Sequence, residues 1–219
     1  MGTTHVPIVQ RILNANDQIA AQNRAKLDSE GIFGINIMAS PGAGKTSTIL
    51  KTIEALKDRM RIGVIEGDTA AVTIDADKIK AVGIPVVQIN TGGGCHLDAP
   101  MVADALQQLP LQELDLLIVE NVGNLVCPAT FNIGTHANIV VASIPEGDDK
   151  PYKYPRIYQG IDVLLLNKTD LAPYVAFNTD YFRRGVEILN QNVNFLPISC
   201  KTGEGLHRWA DWLLQKAAH

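Results

Sequence analysis

The sequence has few cysteines, few aromatic residues and no long apolar run. Its 219 residues include three cysteines, too few for the disulfide framework of a small secreted protein. No apolar stretch reaches the about 18 to 20 residues that cross a bilayer, and residues 1–18 lack a basic segment followed by an apolar one. We therefore expect a reduced, cytoplasmic protein that does not enter membranes.

The excess of charge of either sign is also small. Lysine and arginine total 19 residues and aspartate and glutamate 23, which gives a formal net charge of −4. Proteins that bind nucleic acid through bulk electrostatics carry a basic surplus, so we expect no nucleic-acid partner. The hydrophobic fraction, 46%, is ordinary for a globular protein and is enough for a sizeable core.

Helical and strand patterns alternate along the chain. Residues 6–29 carry apolar side chains mostly at helical spacing, interrupted by Asn16, and Gly31 ends this predicted helix. Buried strands are predicted at residues 32–39, 62–66, 84–89, 114–120, 139–144, 162–167 and 195–198. Further helices are predicted at residues 45–59, 75–82, 98–109 and 205–217. Apolar strands separated by helices predict one α/β domain over residues 1–219, with a mostly parallel sheet covered on both faces and residues 1–30 as an N-terminal helical appendage.

A glycine-rich loop follows the first predicted strand and opens a helix. Residues 39–46 read ASPGAGKT, which fits the phosphate-loop (P-loop) pattern except that Ala39 replaces its first glycine. The glycines let backbone N–H groups turn towards a phosphate, the lysine can reach the β- and γ-phosphates, and the threonine hydroxyl can ligate Mg²⁺. The residues expected to bind nucleotide here are Gly42, Ala43, Gly44, Lys45, Thr46 and Ser47. The sequence therefore predicts a P-loop NTPase.

The segment Asn167-Lys168-Thr169-Asp170 fits the NKxD signature of guanine-nucleotide proteins. The Asp170 carboxylate can accept from both N1–H and the N2 amine of guanine, a pair of donors that adenine lacks. The stem of Lys168 can lie across the base, and Asn167 can tie this loop to the phosphate loop. The segment predicts GTP and GDP rather than adenine nucleotides as ligands.

A second base-binding segment is predicted after the last strand. Ser199-Cys200-Lys201 resembles the SAK loop of the same proteins, with Cys200 in place of alanine. A backbone N–H of this loop would meet guanine O6. Together with the NKxD segment, this loop strengthens the prediction of guanine specificity.

Acidic residues lie at the ends of two other strands. Asp68 closes the segment EGD, and Glu120 begins ENVG, where a DxxG motif would have aspartate and where Gly123 would offer its N–H to the γ-phosphate. We expect Asp68 and Glu120 to ligate Mg²⁺ directly or through water. Asp75 is a candidate for the same ion or for positioning the attacking water, and it is equally compatible with a helix N-cap.

The candidate catalytic residues are Lys45, Asp75 and Glu120. Gly123 is followed by Asn124 rather than by a glutamine that could orient water, and no arginine finger is evident. We therefore expect slow intrinsic hydrolysis of GTP.

Two cysteines and a histidine suggest a second chemistry. Cys95-His96 follows three glycines after the third strand, and Cys127 precedes a proline. Thiolates and imidazole suit Ni²⁺ or Zn²⁺, and water or a second copy of the chain would complete a four-coordinate site. His136 is a further candidate ligand, and idle thiols remain an alternative. Because Cys127 lies four residues after Gly123, a nucleotide-dependent movement would displace a metal ligand, which predicts linkage between the two sites.

Three longer stretches, NTGGGCHLDA, IVENVGNLVCPA and PEGDDKPYKYP, resemble the HypB family of GTPases that help insert nickel into [NiFe]-hydrogenase. The resemblance covers essentially the whole chain. It implies the SIMIBI class of P-loop GTPases and a homodimer promoted by GTP, with a Ni²⁺ or Zn²⁺ site at its interface built from Cys95, His96 and Cys127. It also implies a HypA-like nickel- and zinc-binding accessory protein as partner and the [NiFe]-hydrogenase large subunit as client.

An alternative function on the same fold is a metal-independent regulatory GTPase or a P-loop kinase. A kinase needs an acceptor pocket and usually a mobile lid, and residues 146–159 are long enough to form one. Asp170 favours a guanine nucleotide over this alternative.

Overall fold

The computed structural model describes residues 8–69 and 74–218. The first two residues of the helix predicted at 6–29, and residues 70–73 of the loop before Asp75, lie outside the described residues. Seven strands form one sheet: β1 Phe33–Ala39, β2 Ile62–Asp68, β3 Val86–Asn90, β4 Leu116–Glu120, β5 Ala137–Ser143, β6 Val163–Asn167 and β7 Asn194–Pro197. Their order is β3-β2-β4-β1-β5-β6-β7, and every pairing is parallel.

Helices cover both faces of this sheet. In the described part of the chain they are α1 Ile8–Glu30, α2 Lys45–Leu56, α3 Ile74–Ala81, α4 Ala99–Leu106, α5 Lys150–Lys153, α6 Pro155–Gln159, α7 Thr179–Leu189 and α8 Leu206–Ala217. One face packs against α2, α3 and α8, and the other packs against α1, α4, α6 and α7. The predicted α/β class with a parallel, doubly covered sheet is confirmed. None of the described helices combines the length and the apolar character needed to span a membrane.

Helix α7 was not predicted from the sequence. Its apolar stripe is regular, with Phe182 and Val186 buried, and Asn178 caps its first turn by accepting a hydrogen bond from the backbone N–H of Tyr181. Gly185 lies in the middle of the helix and weakens the helical signal. A Cβ at this glycine would lie 2.7 Å from the ring of Tyr152, so close packing accounts for the glycine.

Residues 146–159 do not form a free lid. They begin at the end of the 3₁₀ turn Ile144–Glu146 and form the helices α5 and α6, and Ile157 and Tyr158 of α6 are almost completely buried. Several predicted bounds also shift: β3 begins at Val86 rather than at residue 84, and α4 ends at Leu106 rather than at residue 109. Pro85 cannot donate a ladder hydrogen bond, which is consistent with the later start of β3.

The topology brings the functional segments together. In a parallel sheet all strands end at the same edge, and ligands of such folds bind there. The phosphate loop, the EGD and ENVG segments and the NKTD segment directly follow or close β1, β2, β4 and β6. They therefore converge at one edge.

Candidate functional site

The phosphate loop connects β1 to α2 in the conformation that its glycines permit. Gly42 and Gly44 have φ angles of 77° and 104°, in a region that side-chain-bearing residues rarely adopt. A Cβ at Gly44 would lie 2.4 Å from Nδ2 of Asn167, so no larger residue fits there. Lys45 begins α2 immediately after this turn, which places the positive end of a helix at the loop.

Asn167 ties the NKTD segment to the phosphate loop, as its position in the motif predicts. Its Nδ2 donates to the carbonyl oxygen of Ala43 at 3.0 Å. Its Oδ1 accepts from the backbone N–H of Lys168 at 2.8 Å and of Cys200 at 3.2 Å. One buried amide therefore holds three predicted nucleotide-binding segments in fixed relation.

A pocket of about 530 Å³ lies between these segments. Its lining includes Gly44, Ser47, Asn167, Lys168, Asp170, Cys200 and Lys201. At one side, Ser199 Oγ donates to Oδ1 of Asp170 at 2.6 Å, which orients the carboxylate expected to read guanine. The ammonium of Lys168 donates to the carbonyl oxygen of Gly42 at 2.7 Å, so its stem bridges the two loops.

Thr46, Asp75 and Glu120 meet beside the phosphate loop. Thr46 Oγ1 lies 3.0 Å from Oδ2 of Asp75 and 2.9 Å from Oε1 of Glu120. A hydroxyl and two carboxylates are oxygen ligands of the kind that Mg²⁺ takes, so the residues present fit this ion. Asp75 lies in the first turn of α3, and its contact with Thr46 links that helix to the phosphate loop.

The electrostatics of this cluster favour different protonation states for its two carboxyls. Burial raises the pKa of Glu120 to about 7, despite the opposing effects of Lys45 and Thr46. Burial acts in the same direction on Asp75, but hydrogen bonds from Lys78 and Thr46 outweigh it and lower the pKa of that residue. Because a hydroxyl has one proton, a protonated Glu120 can donate to Thr46 while Thr46 donates to Asp75.

Asp68 lies at the end of β2 near this cluster, and its carboxylate accepts from the backbone N–H of Thr69 at 2.6 Å. Its negative charge contributes to the raised pKa values of Glu66 and Glu120. Asp68 therefore lies close enough to Glu120 to act on it electrostatically, whereas Thr46, Asp75 and Glu120 are joined by hydrogen bonds.

The ligand atoms of Cys95, His96 and Cys127 all lie within 4.8 Å of one another. The two sulfur atoms are 2.7 Å apart, and Cys95 Sγ is 3.7 Å from Nδ1 of His96. A tetrahedral ion with bonds of about 2.3 Å separates two sulfur ligands to roughly 3.8 Å, which these half-buried side chains can reach with small rotations. Two thiols and an imidazole are a donor set that fits Ni²⁺ or Zn²⁺.

The surroundings of this cluster act in opposite directions on two of its ligands, favouring metal binding at His96 and opposing it at Cys127. Burial lowers the pKa of His96, which favours the neutral imidazole that a metal requires. The pKa of Cys127 is raised, mainly by the hydrogen bond with Cys95 and to a smaller extent by burial. A proton must therefore leave this thiol when a metal binds. His96 also stacks on Phe131, with ring centroids 3.9 Å apart.

His136, the further candidate metal ligand, is not part of the cluster of Cys95, His96 and Cys127. Its Nδ1 accepts from the backbone N–H of Gly34 at 2.8 Å, and its Nε2 lies 2.8 Å from Oδ1 of Asp28. Both ring nitrogens are used to join β1, α1 and the start of β5. His136 is therefore a structural residue.

Comparison with known proteins agrees with this geometry. Residues 34–197 match the family model described as CobW/HypB/UreG, nucleotide-binding domain. The hydrogenase maturation factor HypB of Rhizobium leguminosarum bv. viciae is 44% identical over 97% of this chain and 71% of its own length. The chain belongs to the HypB family.

Two solved structures from the HypB family share the fold. The crystal structure of hydrogenase maturation factor HypB from Archaeoglobus fulgidus has a TM-score of 0.88 and 35% identity, over 94% of this chain and all of that one. HypB from Helicobacter pylori, crystallised in complex with nickel, also has a TM-score of 0.88, with 36% identity over 93% of this chain and 95% of that one. The resemblance to the HypB family is confirmed.

Glu66 was not predicted as a site residue. It pairs with Glu120 across the β2–β4 ladder, and burial, reinforced by the charges of Glu120 and Asp68, raises its pKa to about 7. Among the described residues, Oε2 of Glu66 and Oε2 of Glu120 are buried without hydrogen-bond partners. A buried acidic residue directly after the apolar run IGVI of this strand was the signal that could have found it.

Asn121 is a second residue that the sequence analysis missed. Its Oδ1 accepts from the backbone N–H of Leu97 at 3.0 Å, and its Nδ2 donates to Oδ1 of Asn36 at 3.1 Å. It is fully buried, so these bonds are made away from water. Asn121 therefore joins the segment after Cys95 and His96 to the end of β4, close to Glu120.

Proposed function

We propose that this chain binds Mg²⁺·GTP, hydrolyses it slowly to GDP and phosphate, and uses the nucleotide state to control Ni²⁺ or Zn²⁺ binding at Cys95, His96 and Cys127. Its relatives' role in hydrogenase maturation supports nickel delivery to [NiFe]-hydrogenase as the purpose. A HypA-like accessory protein and the hydrogenase large subunit are the expected partners.

One contact supports this proposal most directly. Gly123, which follows β4, packs so closely on the phosphate loop that a Cβ there would lie 3.2 Å from the Cα of Pro41. Cys127 follows in the same short segment, and its sulfur lies 2.7 Å from that of Cys95. A movement of Gly123 towards a γ-phosphate would therefore reach a metal ligand within four residues.

The polar contacts around the predicted base pocket support GTP over ATP. Ser199 fixes the Asp170 carboxylate, and a fixed carboxylate would be left unpaired by adenine. The burial of Ile157 and Tyr158 gives no support to a kinase lid in residues 146–159.

Exposure around the metal cluster supports a homodimer. All three ligands are half-buried rather than enclosed, and Val126, beside Cys127, is 57% exposed. Three ligands leave the fourth position of a tetrahedral site open. A symmetric second chain would cover the exposed valine and could close the coordination sphere.

Equilibrium binding of Ni²⁺ and Zn²⁺, combined with mass measurement in each nucleotide state, tests the proposal. We expect one metal ion per two chains with a non-hydrolysable GTP analogue, and loss of tight binding in Cys95→Ala. His207→Ala, which removes an exposed histidine of α8, is the matched control and should bind metal normally. Unchanged metal binding in Cys95→Ala would refute the proposed site.

A further inference from the structure

Helix α1 contacts the two stretches of chain that follow the candidate metal ligands, at Ala99 and at residues 132–135. Cys95 and His96 lead within three residues to Ala99, the first residue of α4, and Cys127 leads to residues 132–135 before β5. Two asparagines of α1, Asn16 and Asn23, are 5% and 4% exposed and lie between these segments. Asn16 is the residue that interrupts the apolar stripe of the helix.

Each asparagine bonds to both segments at once. Asn16 Oδ1 accepts from the backbone N–H of Ala99 at 2.8 Å, while its Nδ2 donates to the carbonyl oxygen of Asn132 at 2.8 Å. Asn23 Nδ2 donates to the carbonyl oxygens of Ala99 at 2.9 Å and Ile133 at 3.1 Å. Buried polar groups of this kind are costly unless fully bonded, so their bonds fix backbone positions strongly.

Further contacts fasten the Cys127 side of this arrangement to α1. The guanidinium of Arg24 donates to the carbonyl oxygens of Gly134 and Thr135. Gly134 has a φ of 91°, and a Cβ there would lie 2.4 Å from the carbonyl oxygen of Ala20. The backbone of this segment can approach α1 so closely because residue 134 is glycine.

We propose that Asn16 and Asn23 are positioning residues of the metal site, because they set the separation between the Cys95–His96 segment and the Cys127 segment. They touch no metal ligand directly. On one side they fix the backbone that follows His96. On the other side they fix the backbone that follows Phe131, and the ring of Phe131 stacks on His96. The inference rests on the proposed function, since it assumes that Cys95, His96 and Cys127 bind Ni²⁺ or Zn²⁺.

Metal affinity of the full chain, measured by competition with a chromophoric chelator, tests this inference. In Asn23→Ala we expect Ni²⁺ and Zn²⁺ affinity to fall about three- to tenfold, less than the tenfold or more that is lost when a group bonded directly to a metal ligand is removed. The Ni²⁺–thiolate absorption band should shift or weaken as well, whereas GDP affinity should stay within about twofold of wild type. Asn16→Ala, which removes the bonds to Ala99 and Asn132 together, should show a loss of metal affinity in the same direction.

Two controls separate positioning from general destabilisation. Gln22→Ala changes an exposed residue of α1, and Leu213→Ala truncates a fully buried side chain of α8 in the core on the other face of the sheet. If Asn23→Ala loses no more metal affinity than Leu213→Ala at a matched loss of Tm, the inference is wrong. If Asn23→Ala does not fold, Arg24→Met tests the same claim from the Cys127 side alone. Failure of the wild-type chain to bind either metal would refute the proposed function instead.

Discussion

Gly123 lies directly against Pro41 of the phosphate loop, so that a Cβ at residue 123 would lie 3.2 Å from the proline Cα. The next residue, Asn124, uses its side-chain Oδ1 to accept from the backbone N–H groups of Val126 at 2.7 Å and Cys127 at 3.4 Å. The short segment from Gly123 to Cys127 is therefore a hydrogen-bonded turn rather than a flexible link. Such a turn can pass a displacement at one end to the other.

Asn124 provides a test of that turn. In Asn124→Ala the two backbone N–H groups lose their acceptor, so we expect the difference in Ni²⁺ affinity between GDP and GTP-analogue states to shrink at least about threefold. Asn124→Asp retains an acceptor oxygen and should preserve the difference. Chelator competition in both nucleotide states measures it, and an undiminished difference in Asn124→Ala would show that the turn does not carry the coupling.

Asp170 is expected to decide which base is bound. Asp170→Ala removes two charge-assisted hydrogen bonds to guanine, so GTP affinity should fall at least about 100-fold while the weak affinity for ATP stays unchanged. Asp170→Asn should bind xanthosine triphosphate, because its amide can donate to the carbonyl oxygen that xanthine has at position 2. Titration with fluorescent nucleotide analogues checks both.

Ser199→Ala is a milder substitution at the same site. It leaves the Asp170 carboxylate in place and removes only the hydroxyl that orients it. A loss of GTP affinity smaller than that of Asp170→Ala is expected. Equal preference for GTP and ATP in the wild-type chain would contradict the guanine assignment altogether.

Glu120 makes the stability of the metal-free, nucleotide-free protein depend on pH. Its folded pKa of about 7 lies above the ordinary value of 4.5, so the folded state holds a proton that the unfolded state releases between these values. The free energy of unfolding therefore falls as the pH rises through this interval. Glu120→Gln should raise it by up to roughly 3 kcal/mol at pH 8 and by less than about 1 kcal/mol at pH 5.

Denaturant unfolding at the two pH values measures this difference. Glu113→Gln, at an exposed position in the 3₁₀ turn before β4, is the matched control and should have little effect at either pH. A stabilisation by Glu120→Gln that is the same at pH 5 and pH 8 would show that burial does not raise the pKa of this carboxyl.

The contiguous features of the site were accessible from the sequence because neighbouring residues carry them. The phosphate loop and the NKTD segment each unite chemistry and conformation within a few positions, and β1 and β6 precede them as predicted. Parallel strands end at one edge, so their convergence could also be predicted.

The contacts made through space could not be predicted in this way. Glu66 lies beside Glu120 because β2 pairs in register with β4. Asn23 bonds to two segments that are distant in sequence because α1 crosses both. Helix α7 was not predicted because Gly185, which packs against the ring of Tyr152, weakens the local helical pattern. These features depend on tertiary packing, which periodicity along one chain does not encode.

The affinity of this chain for Ni²⁺, measured with GDP and again with a non-hydrolysable GTP analogue, tests the central claim most directly. Linkage between the phosphate loop and Cys127 predicts that the two dissociation constants differ by at least about fivefold, the lower end of typical allosteric coupling. Cys127→Ser should abolish the difference. Equal Ni²⁺ affinities in the two nucleotide states of the wild-type chain would contradict the coupling and leave a nucleotide site and a thiol cluster that act independently.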